Sequence, residues 1–140
     1  SLRRDVKKLD PEALAAALGP DGALAKALND YESRPQQADM TRAVGGAFNH
    51  DGVAIIEAPT GVGKTLAYLA PAVEWALSNK ERVVISTGTI NLQEQLIGKD
   101  IPLLQRTRSE PFSACLVKGR GNYLCRRKLQ RTLSEATLFE

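Results

Sequence analysis

The sequence predicts an α/β fold, a parallel sheet with flanking helices built around a phosphate-binding loop. Three observations lead there. The stretch Ala58-Pro59-Thr60-Gly61-Val62-Gly63-Lys64-Thr65 has the residue types and spacing of such a loop. An unbroken apolar run, Val53 to Ile56, precedes it, as suits a central strand covered on both faces. A helix-compatible segment with Leu66, Leu69, Val73 and Leu77 in one stripe follows it.

The chemistry of a phosphate site explains the loop. Backbone N–H groups of the loop and of the first helical turn converge on one spot, where the helix dipole also favours negative charge. Thr60 to Gly63 supply those N–H groups, and Gly61 and Gly63 allow φ > 0 and close approach to the phosphates. Lys64 is expected on the β- and γ-phosphates and the Thr65 hydroxyl on Mg²⁺. The common pattern opens with glycine, and Ala58, the smallest alternative, stands in its place.

With 140 residues, 43% of them apolar and 25% charged, the chain has room for one ordinary core. No apolar run approaches membrane-spanning length, and no apolar stretch follows the opening Ser1-Leu2-Arg3-Arg4-Asp5, so no secretory signal is read. Two cysteines cannot build a disulfide framework, and with a nucleotide loop they point to the cytoplasm. The net charge of +3 is uneven: residues 1–70 carry 8 basic and 9 acidic side chains, and residues 71–140 carry 11 and 7. Arg106, Arg108, Lys118, Arg120, Arg126, Arg127, Lys128 and Arg131 lie in one stretch with a single acid, Glu110. Such a stripe can neutralise nucleic-acid phosphates, or be no more than a solvated face.

In chain order, Asp10 and Pro11 cap and open a helix over residues 10–18, which Gly19 stops. A second short helix is expected from Ala23 to Leu28, and the role of both is packing. Pro35 opens a third helix, running to about Phe48 with Met40, Val44 and Ala47 at helical period. Gln37 lies in its first turn, behind Tyr31 and Arg34, and its amide can read the donor and acceptor edge of adenine. Arg34 and Gln37 are therefore nucleotide-contact candidates. Asn49-His50-Asp51-Gly52 reads as a turn, with His50, the sole histidine, as a turn residue.

The first strand spans Val53 to Glu57. Pro71 should bend the helix after the loop, and Trp75 on it reads as a packing or partner contact. Arg82 to Ser86 is the next strand, and a helix with Ile90, Leu92, Leu96 and Ile97 follows it. Ser86, Thr87 and Thr89 stand at that strand's carboxyl end, where such sheets bind ligands, and can hold a nucleic-acid phosphate or cap the helix. Pro102 to Pro111 reads as a polar connection, Phe112 to Val117 as a third strand with Cys115 buried inside it, and Lys118 to Asn122 as a loop. A basic helix is expected from Arg126 to Leu138.

Together these stretches resemble the amino-terminal part of the DinG/XPD family of superfamily 2 iron–sulfur DNA helicases, its bacterial DinG- and YoaA-like branch above all. Tyr31 to Gln37 looks like the adenine-reading Q motif, and Glu57 to Thr65 like motif I, where alanine in first place is usual. Ser86-Thr87-Gly88-Thr89-Ile90-Asn91-Leu92-Gln93-Glu94-Gln95-Leu96 looks like motif Ia, a DNA-backbone contact. Lys118-Gly119-Arg120-Gly121-Asn122-Tyr123-Leu124-Cys125 looks like the opening of the iron–sulfur domain. The resemblance implies a helical segment over 1–30, the first half of a RecA-like ATP-binding domain 1 over 31–118, and the start of the cluster domain over 119–140. It implies ATP and Mg²⁺ as cofactors, single-stranded or forked DNA as partner, 5′-to-3′ polarity and a role in DNA repair or replication. Lys64 and Thr65 would be catalytic, Ser86, Thr87, Thr89, Lys118 and Arg120 would touch DNA, and Cys125 would be one ligand of a [4Fe–4S] cluster in the complete protein.

A cubane cluster needs four thiolates, and Cys115, read as a packing residue, is the one other cysteine. The family's Asp-Glu-Ala-His motif is not in this sequence. The 140 residues are thus expected to bind nucleotide without turning it over. The resemblance further implies that strands from later in the chain lie between the first two, leaving edges open to pairing or oligomerisation. A P-loop kinase or GTPase, and a non-catalytic nucleotide- or DNA-binding module, are the other classes that carry such a loop.

Overall fold

Asp10 begins the fold as a helix cap: its carboxylate accepts from the N–H groups of Glu12 and Ala13, both at 3.0 Å. The computed structural model describes residues 5–28 and 31–136. Helix α1 runs over Pro11–Ala17, α2 over Ala23–Ala27 and α3 over Pro35–His50. Helix α4 runs over Lys64–Asn79, α5 over Ile90–Gln95, α6 over Ile101–Thr107 and α7 over Arg126–Ala136. A π-turn, Leu96–Asp100, joins α5 to α6, and a 3₁₀ turn, Arg120–Asn122, precedes α7.

The core lies between α4 and its neighbours. Leu69, Ala70 and Val73 of α4 meet Leu18, Leu24, Leu96, Leu103 and Leu104, all buried. Each such leucine contributes about 1.5–3 kcal/mol on leaving water. Helix α3 packs on both α1 and α4, and α2 packs on α6, so the front section does serve packing. Asn49 fastens the segment before α1, accepting from the Leu9 N–H at 2.7 Å and donating to the Leu9 carbonyl at 2.9 Å. Trp75 is a packing residue: it stacks on Phe48 with ring centroids 5.3 Å apart and donates to Glu81 at 3.0 Å.

Two helical expectations need correction. Asn49 and His50 belong to α3, and the turn begins one residue later, where Asp51 takes the left-handed conformation (φ 50°). His50 Nδ1 lies 2.8 Å from the Gly46 carbonyl, an intrahelical contact. The connection expected from Pro102 to Pro111 holds α6, with Leu103 and Leu104 inside. Pro102 sits in the first turn of α6, where its missing N–H matters least. The helical run absorbs it by widening: the Ile101 N–H reaches back to the Leu96 carbonyl across the π-turn. Helix α4 continues through Pro71, which is fully buried.

The larger difference concerns the sheet. Among the described residues none belongs to a paired strand. Residues 53–57, 82–86 and 112–117, each expected as a strand, carry neither helix nor ladder. Val53, Ile55 and Val84 are 95%, 98% and 89% exposed, so these runs lack the cover that a parallel sheet gives. Cys115, expected to be buried, is exposed for the same reason. A strand exists only with a paired neighbour, and among the described residues these segments pair with none.

Arg108, at the end of α6, turns inward and pairs with Glu74 on α4. It therefore leaves the outward basic stripe in which the sequence placed it. Burial pushes the Glu74 carboxyl up, but the Arg108 guanidinium and the Ser78 hydroxyl outweigh it and hold it below the ordinary glutamate value. A carboxyl lowered on folding stabilises the fold above its unfolded pKa, and that stability fades as pH falls through its folded value. Melting temperatures from neutral pH to about pH 3 should therefore fall more steeply in the unsubstituted chain than in Glu74→Gln. Parallel slopes would show that the pair carries no pH-dependent stability.

Candidate nucleotide-binding site

Residues 58–63 close into the loop that the sequence outlined, and its two glycines do what other residues cannot. Gly61 has φ 82° and Gly63 φ 76°, both left-handed. Gly63 is also the N-cap of α4, and no side chain caps that helix. Asp10 and Thr89, by contrast, fill the N-termini of α1 and α5 with their own oxygens. The first N–H groups of α4 are thus left for a ligand, and an anion suits them best. Lys64 folds back so that its ammonium donates to the Ala58 carbonyl at 2.7 Å, which holds the charge over the loop. Val62 is buried, while Thr60 is exposed.

The segment before α3 reaches across to this loop. Arg34 Nη1 donates to the Gly61 carbonyl, and its Nη2 pairs with Glu32 at 2.8 Å. Gln37, only 2% exposed, donates from Nε2 to the Gly63 carbonyl at 3.1 Å. The Tyr31 hydroxyl lies 2.6 Å from Gln37 Oε1 and 2.8 Å from the Leu18 carbonyl, its single proton serving two acceptors. Burial raises the Tyr31 pKa, partly offset by Gln37. Tyr31, Glu32, Arg34, Gln37, Gly61, Val62, Gly63 and Leu66 together enclose a cleft of about 250 Å³. The sequence named Tyr31 as a neighbour of this site without giving it a role; its link to Gln37 spans the start of α3 and shows no helical period.

The rim residues assemble separately. Thr89 caps α5, its hydroxyl accepting from the Leu92 N–H at 3.2 Å, and the Thr87 hydroxyl donates to the Thr89 carbonyl at 3.2 Å. Both are therefore spoken for locally, while Ser86 is exposed. Lys118 pairs with Glu94 at 3.2 Å, which ties the segment after residue 117 to α5, the helix that Thr89 caps. The Lys118 N–H donates to the Tyr123 hydroxyl at 2.9 Å, and Arg120 is exposed in the 3₁₀ turn. Helix α7 carries Arg126, Arg127, Lys128 and Arg131 on an exposed surface, with Arg131 paired to Glu135; the far end expected for it, at Leu138, lies outside the described residues.

The donor set of this chain does not fit an iron–sulfur cubane. Cys115 and Cys125 are both exposed free thiols, and among the described residues no group of three or more His, Cys, Asp or Glu side chains could hold a metal. No helix among those residues is long and apolar enough to cross a membrane.

A Cβ placed on Gly63 would lie 2.2 Å from Gln37 Nε2, at a φ that side chains disfavour. Gly63→Ala should therefore break the Gln37 bridge and lower nucleotide affinity at least tenfold. Titration with a fluorescent ATP analogue reads the loss, and affinity equal to that of the unsubstituted chain would contradict the bridge.

No solved structure matches this chain. A sequence profile of the DEAD/DEAH box helicase family matches residues 34–133. The chain is 41% identical over 117 residues to the 3′-5′ exonuclease DinG of Bacillus subtilis, covering 84% of this chain and 13% of that protein. It is 43% identical over 112 residues to the ATP-dependent DNA helicase YoaA of Escherichia coli, covering 80% and 17%. It is 39% identical over 128 residues to the ATP-dependent helicase DinG of Mycobacterium tuberculosis H37Rv, covering 89% and 18%. The chain thus spans less than a fifth of the length of these relatives. With a profile match over most of its length, around a phosphate loop bridged by Arg34 and Gln37, this chain is a member of the DEAD/DEAH box helicase family, and over that length it is similar to the DinG and YoaA proteins.

Proposed function

We propose that this chain is the amino-terminal, ATP-binding part of an ATP-dependent DNA helicase of 5′-to-3′ polarity that serves DNA repair or replication in the cytoplasm. The observation that carries the reading is the bridge from Arg34 and Gln37 to the carbonyls of Gly61 and Gly63 beside the cleft. Adenine lies against Gln37 and the phosphates over the loop. The Gln37 amide has two donors and two acceptor lone pairs. One of each goes to Gly63 and Tyr31, so one of each remains for the base. Thr60 to Gly63 cradle the phosphates, Lys64 moves from the Ala58 carbonyl to the β- and γ-phosphates, and Thr65 takes Mg²⁺. Mg²⁺, when bound, would neutralise charge on the phosphate oxygens; this chain's own groups bind and orient.

Ser86, Thr87, Thr89, Lys118 and Arg120 contact the backbone of single-stranded or forked DNA; the Lys118–Glu94 pair, which links Lys118 to the helix capped by Thr89, supports that reading. Residues 31–118 form part of a RecA-like domain with a parallel sheet, behind a helical segment over 1–30, and residues 119–140 open a further domain. Cys125 serves a [4Fe–4S] cluster only where three more thiolates are supplied from outside this chain. By itself the chain binds nucleotide without hydrolysing it.

Titration of a fluorescent ATP analogue with Mg²⁺ tests the site. Removing a charge-assisted contact costs about 1.5–3 kcal/mol, so Lys64→Ala should weaken binding about tenfold or more. Equal affinities would sink the phosphate-loop reading.

The exposed runs at 53–57, 82–86 and 112–117 carry their own expectation. Val53, Ile55, Val84 and Val117 offer apolar edges that another chain can pair with. The 140-residue chain should self-associate, and its apparent mass in size-exclusion chromatography should rise with concentration. A monomer that melts cooperatively at every concentration would contradict this.

A further inference from the structure

Three cations of the basic stretch are met by acids, each in a different setting. Arg108 turns inward to Glu74 on α4. Arg131 pairs with Glu135 one turn along α7, with both side chains in solvent. Lys118 Nζ donates to Glu94 Oε1 at 3.2 Å, across 24 residues of chain. The Lys118 side chain is 27% exposed and that of Glu94 59%. Arg120, two residues beyond Lys118, joins no ion pair among the described residues.

The first two pairs have structural reasons. Glu74 ties the end of α6 to α4, and a pair spaced i, i+4 supports its own helix. The third has no such reason. The backbone of Lys118 is held without Glu94, since its N–H donates to the Tyr123 hydroxyl at 2.9 Å. Helix α5 is started without Lys118, since the Thr89 hydroxyl caps it. What the pair fixes is the ammonium alone. A carboxylate offers an ammonium what a phosphate diester offers, an anionic oxygen at hydrogen-bond distance. Glu94 is mostly in water, so its bond to Lys118 is weak enough for a second anion to take over.

We propose that Glu94 is a stand-in for a DNA phosphate, a latch that occupies Lys118 until a strand displaces it. The ammonium passes from one anionic oxygen to another, and no covalent bond changes. A strand gains the Lys118 contact only by breaking the pair, so Glu94 lowers the affinity by the strength of that pair. Arg120 has no acid to release and meets a phosphate directly. Glu94 thus sets how strongly a single strand must bid for one of its two cations. The inference rests on the reading of Lys118 as a DNA contact.

The test titrates a fluorescein-labelled oligothymidylate, read by anisotropy, into the 140-residue chain and its variants Glu94→Gln, Lys118→Ala and Arg120→Ala. The doubles Glu94→Gln/Lys118→Ala and Glu94→Gln/Arg120→Ala complete two cycles. An exposed ion pair is worth about two- to fivefold, so Glu94→Gln should tighten binding by that factor. The gain should vanish in the Lys118→Ala background and survive in the Arg120→Ala background. A gain of the same size in both backgrounds overturns the latch, because it reports only the removal of a repelling charge. Unchanged or weaker binding by Glu94→Gln also overturns it, as a merely structural pair would give. If Glu94→Gln fails to fold, as circular dichroism would show, Glu94→Ala takes its place in both cycles. Equal binding by the unsubstituted chain and Lys118→Ala overturns the DNA reading of Lys118 and the latch together. Weaker binding by Lys118→Ala with no gain from Glu94→Gln overturns the latch only.

Discussion

The hydrogen bond from the Gln37 amide to the Gly63 carbonyl is the joint on which the site depends. Gly63 is both the last residue of the loop and the cap of α4, so a bond to it fixes where the helix begins. Gln37 is itself fixed, because it sits in the first turn of α3 and Tyr31 holds its other end. Through Tyr31 the same contact reaches the Leu18 carbonyl at the end of α1. One buried amide thus ties the front helices, α3 and the loop together. It is satisfied on both of its polar ends, the condition under which a buried polar group specifies a structure rather than weakening it.

Local chemistry was legible in the sequence wherever a residue acts on its own backbone. Asp10 and Pro11 announce α1, because a carboxylate cap and a missing N–H are useful only at a helix start. Gly61 and Gly63 announce positive φ for the same kind of reason. The sequence misled where one residue type serves two local roles. Asn49 and His50 look like turn residues but end a helix, and the switch to left-handed backbone falls on Asp51. Pro102 looks like a breaker, yet it stands where a widened turn leaves room for it.

What could not be read was anything set by partners far away in sequence. Val53 to Ile56 has the composition of a buried strand, but burial belongs to the sheet and not to the run. No ladder forms among the described residues, so the apolar character stays exposed and Cys115 with it. Arg108 was counted with an outward basic stripe because charge in a sequence has no direction; Glu74, 34 residues earlier, gives it one. The contact of Tyr31 with Gln37 and the burial of Asp100 are invisible for the same reason. Of the candidate site, then, the loop was legible in detail, and the bridge over it only as a pair of neighbouring names.

The separation between a packed helical layer and uncovered strand-like runs has a consequence for the order of assembly. Helix α1 finds α3 across the 17 residues 18–34, and α3 finds α4 across the 13 residues 51–63. Short chain closures come early in folding, and sheet pairings between distant segments come late. The helices and the bridged loop can therefore settle while the runs at 53–57 and 82–86 still wait for neighbours. The phosphate-binding loop would then be a scaffold already set when the sheet closes on it, rather than a product of that closure.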